Sequence, residues 1–316
     1  MSFSSDLKGE LCRLPLSNQH CLVAELAAFF DFAGTLEFNA QEIACSFRTN
    51  HAQVARRIYR ILKEELGFKA QLFTRRGERL QASQRNYLLQ ITGAVQITRL
   101  LALLQKGEAK DALLPQSSLA LIQQDCCRHA YLRGAFIAAG SLSDPRAGDY
   151  HLEFISESEL HARELGLLLQ SSKLKSGITR RKDRYLVYLK NRNAIADFLT
   201  RIGGMQHRLR YEDELLQKDL ANKANRERNL DNANAIRQSV TGARQAEAIM
   251  WLQRHRQLHR LSPALLEVAH ARIDDPETSL QEIAEQLSLT KSAVNYRLRR
   301  ICQIAEDRGW THLNSG

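Results

Sequence analysis

The stretch Leu132-Arg133-Gly134-Ala135-Phe136-Ile137-Ala138-Ala139-Gly140-Ser141-Leu142 decides the fold, because the chain carries it twice. Leu26-Ala27-Ala28-Phe29-Phe30-Asp31-Phe32-Ala33-Gly34-Thr35-Leu36 has the same make-up, apolar and small residues closed by a glycine and a hydroxyl residue. The two glycines lie 106 positions apart. Thr74-Arg75-Arg76 returns as Thr179-Arg180-Arg181 at an offset of 105, and Tyr87–Ile91 returns as Tyr185–Leu189 at 98. Three echoes in order at nearly one offset indicate a duplicated unit.

Each unit reads alike. A small-residue helix ends at its glycine, which suits a C-cap. Strand text follows at Ile43–Arg48 and, with alternating polarity, at Tyr150–Ile155. Helical spacing then covers Gln53–Leu66 and Ser158–Leu169. Strand pairs come next, Phe68–Thr74 with Tyr87–Ile91 and Lys173–Thr179 with Arg184–Lys190, and helices near Ala94–Leu104 and Ala194–Ile202 close the units. The expected fold class is α+β, a duplicated αββαββα domain with antiparallel sheets, followed by an all-α domain. Two helices meet face to face only over small side chains, and Ala27, Ala28, Gly134, Ala135 and Ala138 supply them.

The expected domains are 1–205, a charged, Asn-rich helical linker over 206–244, and a helical domain over 245–316. Gly203-Gly204 ends the helix before the linker. In the last domain the expected helices are Gln245–His259, Pro263–Arg272, Leu280–Leu287 and Lys291–Arg308. Ser279 and Glu282 form a capping-box pattern, Ser288-Leu289 a tight turn, and Thr290 the next cap. Val294, Leu298 and Ile301 make a buried stripe. Ser292, Tyr296 and Arg299 fall on the opposite face, flanked by Asn295 and Arg300, with Lys291 at the start. Two short helices joined this steeply suit a helix-turn-helix, whose second helix places Ser, Asn and Arg against base edges; an ordinary helical hairpin with a polar outer face is the alternative. The expected DNA-binding residues are Thr290, Lys291, Ser292, Asn295, Tyr296, Arg299 and Arg300.

The net charge of +10 favours a polyanionic partner. Residues 1–205 carry 28 Lys and Arg against 20 Asp and Glu, and residues 206–316 carry 17 against 15, so the excess sits mainly in the repeats. Lys69, Arg75, Arg76, Arg79 and Arg85 in the first repeat, and Lys173, Lys175, Arg180, Arg181, Lys182, Arg184, Lys190 and Arg192 in the second, are candidates for DNA-backbone contact. Strand-edge protection against aggregation is the alternative use of such charges. The six cysteines form no CxxC pair, and the ten histidines show no metal-ligand spacing, so the thiols read as reduced and buried, with no metal or cofactor. Walker, Rossmann and nucleophile-elbow motifs do not occur, nor an apolar run of transmembrane length, which points to a cytoplasmic protein.

The repeated helices resemble the LAGLIDADG motif of homing endonucleases. With Ala130–Phe136, Ala139-Gly140-Ser141 and Ser279–Arg300, the chain from about Glu25 to Ala305 resembles the WhiA family, in which a degenerate LAGLIDADG-like domain precedes a helix-turn-helix. The family occurs in Gram-positive bacteria. The resemblance implies a nucleoid-associated transcriptional regulator of double-stranded DNA, involved in cell division, chromosome segregation and sporulation. It also brings RNA polymerase, a sigma factor or division proteins into view as partners. In active LAGLIDADG enzymes the residue before the final glycine is acidic and holds divalent ions. Here those positions are Ala33 and Ala139, and a methyl group cannot ligate a hard cation. The resemblance therefore implies a catalytically inactive scaffold. Asp31, two positions earlier, is expected to make a polar contact at the domain surface. The alternatives are a residual metal-dependent endonuclease acting through Asp31 or Asp144, and a protein-interaction factor of the division or transcription machinery.

Overall fold

A computed structural model describes residues 2–16, 18–38, 43–76, 85–106 and 118–311; Arg79 lies outside the described residues. The chain divides into two compact units, residues 1–217 and 218–316. The first opens with α1 (Phe3–Arg13). The first repeat then runs α2 (Gln19–Ala33), β1 (Gly34–Phe38), β2 (Ile43–Thr49), α3 (Ala52–Arg60), β3 (Ala70–Arg76), β4 (Arg85–Thr92) and α4 (Ala94–Leu103). A π-helical turn, Ile61–Glu65, prolongs α3. The second repeat runs α5 (Asp125–Ala139), β5 (Gly140–Leu142), β6 (Leu152–Ser156), α6 (Glu159–Ser171), β7 (Gly177–Arg181), β8 (Arg184–Leu189) and α7 (Arg192–Ile202). The sheets are antiparallel, in the orders β1-β2-β4-β3 and β5-β6-β8-β7. The αββαββα duplication and the α+β class are both present.

The helices α2 and α5 pack on each other at the centre of this unit, with Ala24, Ala27, Ala28, Ala130 and Ala135 wholly buried or nearly so. Phe29, Phe47, Phe136, Phe154 and Phe198 fill the space between helices and sheets. Gly34 and Gly140 end the two helices with extended backbone (φ −82° and −79°), not the left-handed turn of an ordinary glycine cap. Their lack of a side chain answers a close approach instead. A Cβ on Gly34 would stand 2.7 Å from the Phe30 carbonyl oxygen, and one on Gly140 would collide with Phe136. The strands β1 and β5 therefore start on the glycines themselves.

Some edges differ from the sequence pattern. Lys173 has φ +60° and its amide bonds the Gln170 carbonyl, so α6 closes in a left-handed turn there. Lys173 and Lys175 thus sit in a loop, and β7 starts only at Gly177. The strand expected from Tyr150 begins at Leu152.

One helix, α8 (Met205–Arg254), includes the last residues of the first unit and the first of the second. Within the second unit, α9 (Pro263–Asp274), α10 (Leu280–Gln286) and α11 (Lys291–Asp307) enclose a core of Ile249, Leu252, Val268, Ile283, Val294, Leu298 and Ile301. Among the described residues no helix is long and apolar enough to cross a membrane.

Candidate nucleic-acid interface

The geometry of α10 and α11 follows from their caps. Ser279 Oγ accepts from the Glu282 amide at 3.2 Å, and Glu282 Oε2 accepts from the Ser279 amide at 2.8 Å, a complete capping box. These bonds from Ser279 hold the Glu282 carboxyl below its usual pKa. Ser288 takes a positive φ of 55°, and the Leu289 amide returns to the Ala284 carbonyl at 2.8 Å, which makes the turn sharp. Thr290 Oγ1 then accepts from the Ala293 amide at 3.2 Å and starts α11.

Helical periodicity divides α11 into two faces. Val294, Leu298, Ile301 and Ala305 are fully buried. Thr290, Lys291, Ser292, Tyr296, Arg299 and Arg300 are exposed, and Asn295 is half-buried. Tyr296 is 70% exposed, which is unusual for a large aromatic side chain. Arg297 behaves differently: its guanidinium donates to the Ala264 carbonyl of α9 at 3.2 Å. Behind α10, buried Arg272 donates to the carbonyls of Pro276 (3.1 Å) and Thr278 (2.6 Å) and fixes the loop that enters α10. Gly242 of α8 lets that loop come close, since a Cβ there would collide with the Pro276 carbonyl.

In the first unit the basic candidates gather on a hairpin. Arg180, Arg181, Lys182 and Arg184 are all exposed around the β7–β8 turn, where Lys182 has φ +56°. Pairing puts Arg181 opposite Arg184 and Arg180 opposite Tyr185. Alternation along the strands then separates them. Arg180 shares the side of Tyr185, whose hydroxyl donates to Glu159 of α6 at 3.0 Å, and its guanidinium lies over the Tyr185 ring. Arg181 and Arg184 share the opposite side. In the first repeat, Arg75 and Arg76 occupy the matching end of β3, in register with Asn86 and Arg85. Lys173 and Lys175 are exposed in the loop before β7.

The nuclease positions, Ala33 and Ala139, are the last residues of α2 and α5. Asp31 is not at the surface. Its side chain is 1% exposed and ion-paired with Lys106 at 2.6 Å, itself 2% exposed. Oδ2 accepts from Ser118 (2.7 Å) and Tyr131 (2.8 Å), and the main-chain carbonyl accepts from His161 Nδ1 (2.9 Å). Burial, and next the Asp31 charge, push the Tyr131 phenol well above its usual pKa. The sequence expectation failed here because helical phase gives a direction around an axis, not what later segments lay over it. Asp144 is engaged too, capping a short turn and pairing with Arg146 at 2.7 Å.

Two further groups come together only in three dimensions. A cavity of about 800 Å³ is lined by Lys8, Arg13, His51, Arg56, Arg85 and Arg210, with Asp6 among them. Burial pushes the Lys8 ammonium down to about 8. Its lining comes from α1, α3, β4 and α8, so no local motif marks it. His20, Cys21, Cys126 and Cys127 form a second cluster, their ligand atoms within 4.8 Å of one another. The only sequence signal for it is an offset of 106 between the two pairs, the same as between Gly34 and Gly140.

Comparison with known proteins places these features in a family. A model described as the WhiA N-terminal LAGLIDADG-like domain matches residues 19–105, the WhiA LAGLIDADG-like domain matches 128–221, and the WhiA C-terminal HTH domain matches 224–305. A probable cell division protein WhiA from Clostridium botulinum is 34% identical, over 97% of this chain and 98% of its own. One from Desulfitobacterium hafniense is 36% identical, over 97% and 96%. The crystal structure of full-length WhiA from Thermotoga maritima superposes with a TM-score of 0.59 at 24% identity, covering 98% of this chain and 100% of that one.

Proposed function

The chain belongs to the WhiA family, and from that premise we propose that it is a non-enzymatic, sequence-reading DNA-binding protein that regulates transcription in connection with cell division. The observation that carries the reading is the two-faced α11. Its apolar stripe locks it onto α9 and α10, which leaves Lys291, Ser292, Asn295, Tyr296, Arg299 and Arg300 available to a major groove. Thr290 caps the helix, and Lys291 at its N-terminus meets backbone phosphate. Chromosome segregation, and sporulation in spore formers, belong to the same proposal, as do a cytoplasmic, nucleoid-associated location and contact with RNA polymerase, a sigma factor or division proteins.

The repeats supply affinity for the DNA backbone. Arg181 faces Arg184 across the β7–β8 hairpin, a concentration of like charge that exposed Glu157, 3.6 Å from Arg184, offsets only in part. Arg75, Arg76, Arg180, Lys182, Lys173 and Lys175 extend the same role. The organisation that goes with it is a LAGLIDADG-like domain over 1–205, a helical linker over 206–244 and a DNA-reading domain over 245–316. Absence of cleavage rests on Ala33 and Ala139, which lack carboxylate, and on Asp31 and Asp144, whose carboxylates are already paired.

Genome-wide mapping of bound DNA in cells tests the reading, together with purified protein, Mg²⁺ or Mn²⁺ and supercoiled plasmid. Discrete bound sites, lost on Arg299→Ala, and intact plasmid are expected. Nicking that tracks the protein through purification would overturn the non-enzymatic part. Binding without preferred sites would overturn sequence reading.

A further inference from the structure

His20 and Cys21 lie in the first turn of α2, and Cys126 and Cys127 in the first turn of α5. The helices run together, so the two turns meet. His20 Nδ1 stands 3.1 Å from Cys127 Sγ and 3.4 Å from Cys21 Sγ. The pairs occupy equivalent places in the two repeats, as their shared offset of 106 requires. A point among the four atoms therefore lies at the pseudo-two-fold axis and receives two donors from each repeat. We propose that His20, Cys21, Cys126 and Cys127 bind one zinc ion, a structural site that fastens the two repeats together at their axis.

The donor set selects the metal. Three thiolates and an imidazole are the Cys₃His complement of structural zinc, while magnesium and calcium require oxygen. Distances agree as well. Zinc–sulfur bonds of about 2.3 Å and zinc–nitrogen bonds of about 2.0 Å in a tetrahedron set the donors roughly 3.5–3.8 Å apart. The spacing found, from 3.1 Å up to 4.8 Å, brackets that range, so small rotamer changes close the site. Cys21 and Cys127 are buried, and His20 and Cys126 are exposed, which leaves a path for the ion. Binding of the cation displaces the thiol protons to solvent.

The test uses the untagged full-length chain, purified under reducing conditions without chelator. Elemental analysis should give one zinc per chain. Cobalt exchanged into the site should show thiolate charge-transfer bands and tetrahedral d–d bands. Cys126→Ala changes an exposed position and leaves the apolar core intact, so the fold, followed by circular dichroism, should persist. Its zinc affinity should fall roughly tenfold or more, the scale on which even outer-shell partners act. Cys302→Ala, in the other unit, should retain the metal. A folded, reduced chain with no zinc and no cobalt spectrum would overturn the proposal. So would a Cys21–Cys127 disulfide trapped directly from cells, because those sulfurs would then serve a redox bond.

Discussion

Gly134 on α5 faces the main-chain carbonyl of Glu25 on α2 with no room between them for a Cβ. The clash that alanine would make is with backbone, so only separation of the two helices relieves it. Overpacking costs about 1–3 kcal/mol, against a helix-propensity gain of about 1 kcal/mol. Gly134→Ala should therefore lower stability by up to about 2 kcal/mol. Gly9 is the control: a Cβ there meets only the end of the Gln53 side chain, which can swing away. Urea denaturation should show Gly9→Ala close to neutral and Gly134→Ala clearly destabilised.

The same Glu25 predicts an acid response. Its fully buried carboxylate accepts from Arg57 (3.0 Å at Oε2) and Arg133 (2.9 Å). Burial alone would raise its pKa, but the two guanidinium groups outweigh that and lower it. A depressed folded pKa contributes stability above the unfolded value of about 4.3, lost as pH falls through the folded value. Glu25→Gln leaves two arginines facing an amide and should cost about 3–5 kcal/mol at neutral pH. Below the unfolded value its urea midpoint should fall less with pH than that of the parent chain. Parallel curves would show that other carboxylates carry the acid response.

Arg299 and Leu298 are neighbours with opposite duties. Arg299→Ala should cost about 1–3 kcal/mol at the preferred site if the guanidinium reads a guanine. Its thermal stability should change by no more than about 0.5 kcal/mol. Leu298→Ala leaves a cavity and should cost roughly 2–5 kcal/mol of stability. Both variants need titration at one salt concentration on specific and scrambled duplexes. Equal weakening on both duplexes by Arg299→Ala would make Arg299 a phosphate contact.

The β7–β8 hairpin separates its arginines by side. Arg181→Ala with Arg184→Ala should reduce the salt slope of log K by roughly 0.9 for each phosphate left without its arginine, on any duplex. Arg180→Ala alone should reduce it less, because Arg180 lies over Tyr185 on the α6 side. An unchanged slope for the double variant would leave the hairpin to edge protection or a protein partner.

Elements were readable in the sequence where the signal is local. The doubled small-residue helix announced the seam, and Ser279 with Glu282 announced the start of α10. The face of α11 that carries Arg299 followed from a 3.6-residue period. What escaped was decided by chain segments distant in sequence. Lys106 and Ser118 cover Asp31 from 75 and 87 positions away. The His20 cluster needs two helix starts brought side by side. Gly34 and Gly140 looked like ordinary caps because a crowded neighbour and a positive φ demand the same residue.

Among the described residues each four-stranded sheet is completed within its own repeat, and no strand of one half pairs with a strand of the other. The halves meet through helix surfaces, above all α2 on α5. A chain opened between Lys106 and Ser118 would keep the ladder bonds of both described sheets, and the missing peptide connection would cost chiefly effective concentration. Two separately expressed fragments of this unit should consequently find each other and refold as a heterodimer. The duplicated scaffold is thus a dimer whose subunits happen to share one gene, and it can be handled in the laboratory as a complementation pair.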